Sequence, residues 1–260
     1  MTVDDHVRFE YLGNTPSSDV PRFFLIFLSL VIHAIFFAML PNTLTPLKKS
    51  YIVSTLHAVV CVISVVNFFA KYSANFTQIN RIDGGGVYGT GDEIMAYSIA
   101  YSLGYFIYDL LLMLYEESVR TPTALVHHVI VLIGLTSGIT NGICHTCHFY
   151  LLAEELSTIP LNLKAIYHDR ARLHDFFGYL FIFTFFLSRI VYGSIICGYA
   201  FRGAPTFLRA AMNAGDYSSF VIGILQAGLC LLTRVLNVYW SMLILHKVCS
   251  SSKSKKTKAS

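Results

Sequence analysis

Seven ionisable side chains interrupt stretches of sequence that are otherwise apolar: Asp109, His127, His128, Glu154, Glu155, Arg189 and Arg234. Ionisable groups in hydrocarbon are costly and mark lined cavities or sites, so these residues carry most of the functional information in the chain. His127 and His128 are neighbours, and successive helical residues point about 100° apart. One imidazole can then face a cavity while the other packs or hydrogen-bonds between helices. Asp109, on the preceding helix, is placed to hold one tautomer or to raise the basicity of an imidazole, as a general base or an acyl-accepting nucleophile requires. A satisfied core histidine is the plainer alternative. At 1.5 Å per residue from the expected cytosolic helix ends, Asp109 lies about 9 Å deep and the histidines about 6 to 8 Å, in one layer. Glu155, Arg189 and Arg234 come out at about 16, 20 and 18 Å, in a second layer near the midplane. There the two glutamates and two arginines either neutralise one another as a lock between helices or contact a substrate directly. A buried pair need not stabilise the fold, because desolvation can cancel the Coulomb attraction.

Two further motifs carry less. Gly84-Gly85-Gly86-Val87-Tyr88-Gly89 has the spacing of a dinucleotide-binding loop but lies between apolar helices rather than after a strand, so it reads as a flexible or re-entrant loop. Cys144-His145-Thr146-Cys147-His148 matches a haem-attachment or zinc spacing, yet no second pair of ligands accompanies it and a short loop leaves no room for a haem. A redox pair or packing at the membrane edge is the expectation, with no metal and no resident cofactor. Cys61, Cys197 and Cys230 read as small apolar residues within helices.

The elements that must hold these groups follow from composition. Of 260 residues, 55% are hydrophobic and 13% charged, with a mean hydropathy of +0.58. A soluble domain carries about 25% charged residues, so the chain reads as an all-α, polytopic membrane protein. Seven windows approach or reach the roughly 20 residues that a bilayer core needs: 23–40, 51–70, 94–115, 123–140, 145–166, 176–201 and 217–246. The first lacks a cleavage pattern and is kept as a helix rather than a signal peptide. Pro, Gly and charged residues punctuate the windows at 41–46, 83–92, 116–122 and 168–175. The organisation expected is a luminal tail (1–22), a first transmembrane helix and loop (23–50), a six-helix domain (51–246) and a basic tail (247–260).

The net charge of +4 is concentrated in that tail, at Lys247, Lys253, Lys255, Lys256 and Lys258, which leaves no basic face for nucleic acid. Seven spans put the termini on opposite sides. Most Lys and Arg outside the spans fall on the side of the C-terminus, which is therefore expected in the cytosol. Lys256 and Lys258 could form a dilysine retrieval signal or simply a solvated basic tail. The sequon Asn75-Phe76-Thr77 falls on the luminal side, so close to the second span that it is expected to go unused.

The run Gly104-Tyr105-Phe106-Ile107-Tyr108-Asp109-Leu110-Leu111, the pair His127-His128, the segment Leu152-Ala153-Glu154-Glu155-Leu156-Ser157-Thr158-Ile159-Pro160-Leu161-Asn162 and the run Phe186-Leu187-Ser188-Arg189-Ile190 together resemble the TLC domain. That family includes ceramide synthases, translocon-associated proteins and lipid-homeostasis proteins. The chain is most similar to the non-synthase TLC-domain-containing members, with Asp109, His127, His128, Glu155, Ser157, Thr158 and Asn162 in matching places. In the synthases a second acid follows three residues after the first. Here that place holds Thr158, a departure from synthase chemistry.

The resemblance implies a helical bundle of about seven transmembrane helices around a cytosol-facing cavity suited to one long acyl chain. It also implies the endoplasmic reticulum or a related membrane. The leading expectation is a protein that binds acyl lipid and takes part in membrane lipid homeostasis, with Asp109, His127, His128, Glu155, Ser157 and Asn162 at the polar end of the cavity and Arg189 and Arg234 neutralising the acidic helix. The rival is an acyl-CoA-dependent N-acyltransferase, with His127 or His128 as base or acyl acceptor and Asp109 or Glu155 as orienter.

Overall fold

The computed structural model describes residues 20–71 and 92–257, with side chains over 22–71 and 94–250. The Gly84 to Gly89 loop, the Asn75 sequon, Arg8 and Arg81, and the side chains of the basic tail beyond Ser250 lie outside the described residues.

Every regular element among the described residues is helical. They are α1 (Val20–Met39), α2 (Pro46–Lys71), α3 (Asp92–Tyr115), α4 (Pro122–Asn141), α5 (His145–Leu151), a 3₁₀ segment (Leu152–Ser157), α6 (Thr158–Ile166), α7 (Ala171–Phe185), a π-helical turn (Phe186–Tyr192), α8 (Gly193–Asn213) and α9 (Tyr217–Thr257). Among the described residues, six helices are long and apolar enough to cross a membrane: Arg22–Met39, Pro46–Lys71, Ile94–Tyr115, Pro122–Asn141, Ala171–Asn213 and Tyr217–Ser250. The window 145–166 is instead a composite of α5, the 3₁₀ segment and α6. No one piece of it is long enough to span.

The packing is the reverse of a soluble protein's. Phe23, Phe24, Phe27, Ile32, Ile133, Phe183, Val221 and Leu231 point outward, while His33, His57, Asp109, His128, Glu154, Arg189, Gln226 and Asn237 are buried. Hydrocarbon outside accepts the first set, and the second must find partners inside. Helix α2 contacts α3, α3 contacts α4, α4 contacts α9, α9 contacts α8, the π turn contacts the 3₁₀ segment, and α6 returns to α2. These contacts close a ring. Helix α1 stands outside it, docked on α3, where Ser29 Oγ donates to Tyr101 O (2.6 Å), His33 Nδ1 donates to Ser29 O (2.7 Å) and Tyr101 OH donates to His33 Nε2 (3.1 Å).

Local sequence sets the joints. Thr121 caps α4, accepting from Ala124 N at 3.2 Å, and Pro122 fills the first helical position, where its missing N–H costs nothing. Gly142, at φ 73°, ends α4 by donating to Gly138 O. Arg120 Nε and Nη2 cover the last carbonyls of α3, on Met113 and Leu114, each at 2.8 Å. Cys197 and Cys230 differ from the sequence reading. They are not separate small apolar residues but form a disulfide joining α8 to α9. The last helix also runs on to Thr257, so the stretch expected as a tail from 247 begins as a continuation of α9.

Candidate functional site

Two chambers lie inside the ring. The wider, about 370 Å³, is walled by Asp109, Thr121, His127, His128, Glu155, Ser157, Thr158, Arg189 and Trp240, with Tyr105, Phe181, Phe185 and Leu243 as its apolar surface. The narrower, about 80 Å³, runs on past His127 between Ile130, Val131, Leu151, Leu152 and Leu229, and reaches Cys144, Cys147, His148 and Gln226. Phe106, His127, Glu155 and Arg189 belong to both walls and form the neck between the chambers.

The histidines are held differently. His128 Nδ1 donates to Ala124 O at 2.8 Å, and its Nε2 lies 2.9 Å from Asp109 Oδ2, in contact but out of line for a straight hydrogen bond. Both ring nitrogens thus face oxygen atoms. His127 Nδ1 is buried with no hydrogen-bond partner among the described residues. Its ring stands edge-on to Trp240, centroids 5.5 Å apart. The fixed imidazole is His128, and the one with spare hydrogen-bonding capacity at the neck is His127.

The acids and arginines pair off. Arg189 places Nη2 3.3 Å from Glu155 Oε1 and 3.2 Å from Thr158 Oγ1, donates Nε to Ser157 Oγ at 2.9 Å, and lies 5.8 Å from the Trp240 ring. Arg234 pairs with Glu154 and donates Nη1 to Arg189 O at 2.7 Å, while Asn237 Nδ2 reaches Glu154 Oε2 at 3.1 Å. A carboxylate and a guanidinium satisfied in this way tolerate a low dielectric that neither would alone. The positioning elements are irregular: both glutamates sit on the 3₁₀ segment and Arg189 on the π turn, and these two pack together. In a regular α-helix Glu154 and Glu155 would also diverge, but the 3₁₀ winding spreads them by about 120°. Each then meets its own arginine.

A family model for the TLC domain matches residues 49–246. The chain belongs to the TLC domain family. A relative, TLC domain-containing protein 4 C of Dictyostelium discoideum, is 28% identical over 224 residues, which cover 80% of this chain and 74% of that one. No solved structure matches the chain. Helix α1 precedes the matched TLC domain, and the ring of helices from α2 to α9 falls essentially within it.

Of the residues singled out from sequence, Asp109, His127, His128, Glu155, Ser157 and Arg189 share the wider chamber of the TLC domain. Arg234 lines the narrower one with Glu154. Asn162, expected at the polar end of the cavity, is buried on α6 and lies on the wall of neither chamber. Its Nδ2 is buried with no hydrogen-bond partner among the described residues. Sequence reasoning missed Trp240 and Asn237. The signal was there: Gln226, Cys230, Thr233, Asn237 and Trp240 recur at three- and four-residue spacing along an otherwise apolar helix, as one inward stripe would.

Proposed function

We propose that this TLC-domain protein binds an acyl lipid, with its polar end among Asp109, His127, His128, Glu155, Ser157 and Arg189 and its chain passing the neck into the narrow chamber, and that it takes part in membrane lipid homeostasis. The observation that carries the reading is the pairing of chambers: a polar one large enough for a headgroup continues, across a shared wall, into a slender one with an apolar stretch of Ile130, Val131, Leu135, Leu151, Leu152 and Leu229 between the paired Glu154 and Arg234 and the far end at Gln226. A pocket of a few hundred Å³ with few polar groups is the usual form of a small-molecule site. The expected setting is the endoplasmic reticulum or a related membrane, with the C-terminus and the mouth of the wider chamber facing the cytosol.

A second reading is favoured by one specific feature, the unpartnered Nδ1 of His127 beside an imidazole that Asp109 holds. In this reading the chain transfers an acyl group from acyl-CoA to a long-chain amine. His127 acts as base or transient acyl acceptor, Asp109 and Glu155 orient, and acyl-CoA is a substrate rather than a cofactor. Thr158 argues against it. Where a synthase would place a second acid, this hydroxyl is bound to Arg189.

Native mass spectrometry with lipidomics on gently purified protein separates the two, with His127→Ala/His128→Ala for comparison. A noncovalent lipid mass, reduced in the variant, is the expected result. A covalent acyl mass that the variant lacks would move the assignment to the transferase, and a bare wild-type protein would reject both readings.

A further inference from the structure

The far end of the narrow chamber is lined by a built polar bridge. His148 Nε2 donates to Gln226 Oε1 at 2.9 Å, and Gln226 Nε2 donates in turn to Gly134 O at 3.1 Å, so α5, α9 and α4 are tied at one point. Gln226 is 1% exposed. The imidazole lies directly against the backbone of α4: a Cβ on Gly134 would come within 3.1 Å of His148 Cε1, and one on Gly138 within 2.6 Å of His148 Cδ2. Two glycines one turn apart thus make the trough that the ring occupies.

The bridge stands at a defined distance from the neck. Along α4, Gly134 is seven residues from His127, about 10 Å, and along α9, Gln226 is eight residues from Arg234, about 12 Å. The chamber between them holds about 80 Å³. Since one water position takes about 10–15 Å³, the space holds about five to eight such positions, which leaves room for a slender ligand only. Gln226 uses one amide end on His148 and the other on Gly134 O, which leaves neither seeking a polar ligand. An apolar chain end meets a finished wall. A longer chain must break the bridge and leave buried donors and acceptors unpaired, which buried polar groups resist.

We propose that the His148–Gln226 bridge is the end stop of an acyl-chain chamber and sets the chain length of the lipid that this protein retains. The inference rests on the lipid-binding reading above and adds its selectivity: a lipid whose single saturated chain ends between the neck and the bridge.

The test loads the purified full-length protein with a series of saturated fatty acids graded in chain length and reads retention by native mass spectrometry. Gln226→Ala removes the stop, and its preferred chain is expected to lengthen by about two methylenes, the room vacated by the side chain. Leu229→Phe fills the wall on the neck side of the bridge and is expected to shift the preference to shorter chains. This variant leaves the bridge intact, so it reports even if Gln226→Ala does not fold. Unchanged chain preference in the folded variants, with the wild type still retaining lipid, overturns the end stop alone. A wild type that retains neither co-extracted lipid nor any added fatty acid overturns the lipid reading, and the end stop with it.

Discussion

Gly193 begins α8 just after the π turn, and a Cβ there would fall on Glu154 Oε1 and Arg234 Nη1. The absence of a side chain is what lets this buried ion pair form against the backbone of the helix. Gly193→Ala is therefore expected to destabilise the protein by about 1–3 kcal/mol, since an inserted methyl must displace a buried, hydrogen-bonded pair rather than a flexible tip. Gly198, five residues on, has nothing within 4 Å of its Cβ position. Gly198→Ala is expected to be neutral or to stabilise by about 0.5–1 kcal/mol through helix propensity. Thermal unfolding of both variants in the same detergent measures the contrast, and equal midpoints would show that the ion pair does not need the space. At this scale the sequence revealed a residue when its type was out of place. Asp109, Glu155 and Arg189 stand out because charge in an apolar window must either be paired or line a site. Trp240 did not, because a tryptophan near a span end reads as an interfacial aromatic. His33 and His57 did not either, since single histidines on apolar faces read as core. Yet His57 stacks on Tyr105 at 3.8 Å between centroids, and Tyr105 walls the wider chamber.

Helix rotation is harder to read from sequence than helix depth. The depth estimates put Asp109 with the histidines and Glu155 with Arg189, which is how they meet, because the extra rise of a six-residue 3₁₀ stretch adds only about 3 Å. Azimuth accumulates differently: a 3₁₀ stretch over Leu152–Ser157 and a π turn over Phe186–Tyr192 reset the faces of everything that follows. Hydrophobic periodicity gives little warning of either when both faces of a segment are apolar. Helix α1 offers a cleaner case, since it is joined to the ring by a short connection and by its contacts with α3. A Cβ on Gly104 would strike Ile26 O and Ser29. Gly104→Leu should force α1 away and break the bonds among Ser29, His33 and Tyr101, while the ring from α2 to α9 closes on itself without α1. The expected signature is faster proteolysis at the 41–45 connection with little loss of retained lipid. Collapse of the whole protein, with lipid and folded core lost together, would instead show α1 to be a structural member of the ring.

The orientation of the whole molecule decides which solutes can reach the wider chamber. Its wall includes Thr121 and Thr123 at the start of α4, Leu161 on α6, and Leu243 and Ile244 toward the end of α9, so its mouth lies at the end of the bundle where the 116–121 and 167–170 connections run. The same end carries Lys48, Lys49, Arg120, Lys164, Arg170, Arg172 and Lys247, and Lys48 reaches Asp169 at 3.7 Å across it. Basic residues in short connections are retained on the cytosolic side, so the mouth and the C-terminal end of α9 should share that side. The composite of α5, the 3₁₀ segment and α6 runs for 22 residues, about 33 Å at helical rise, enough to cross a core of about 30 Å despite its irregular middle. Counting it as a crossing raises the number from the six long helices to seven, from which the two ends of the chain are expected on opposite faces. A C-terminal epitope in sealed microsomes is accordingly expected to be digested by added protease without detergent, and an N-terminal one to be protected. Protection of the C-terminal epitope until detergent is added would turn the mouth toward the lumen. Cytosolic acyl-CoA would then have no route to His127, and the ligand would have to enter from the luminal side or sideways from the bilayer.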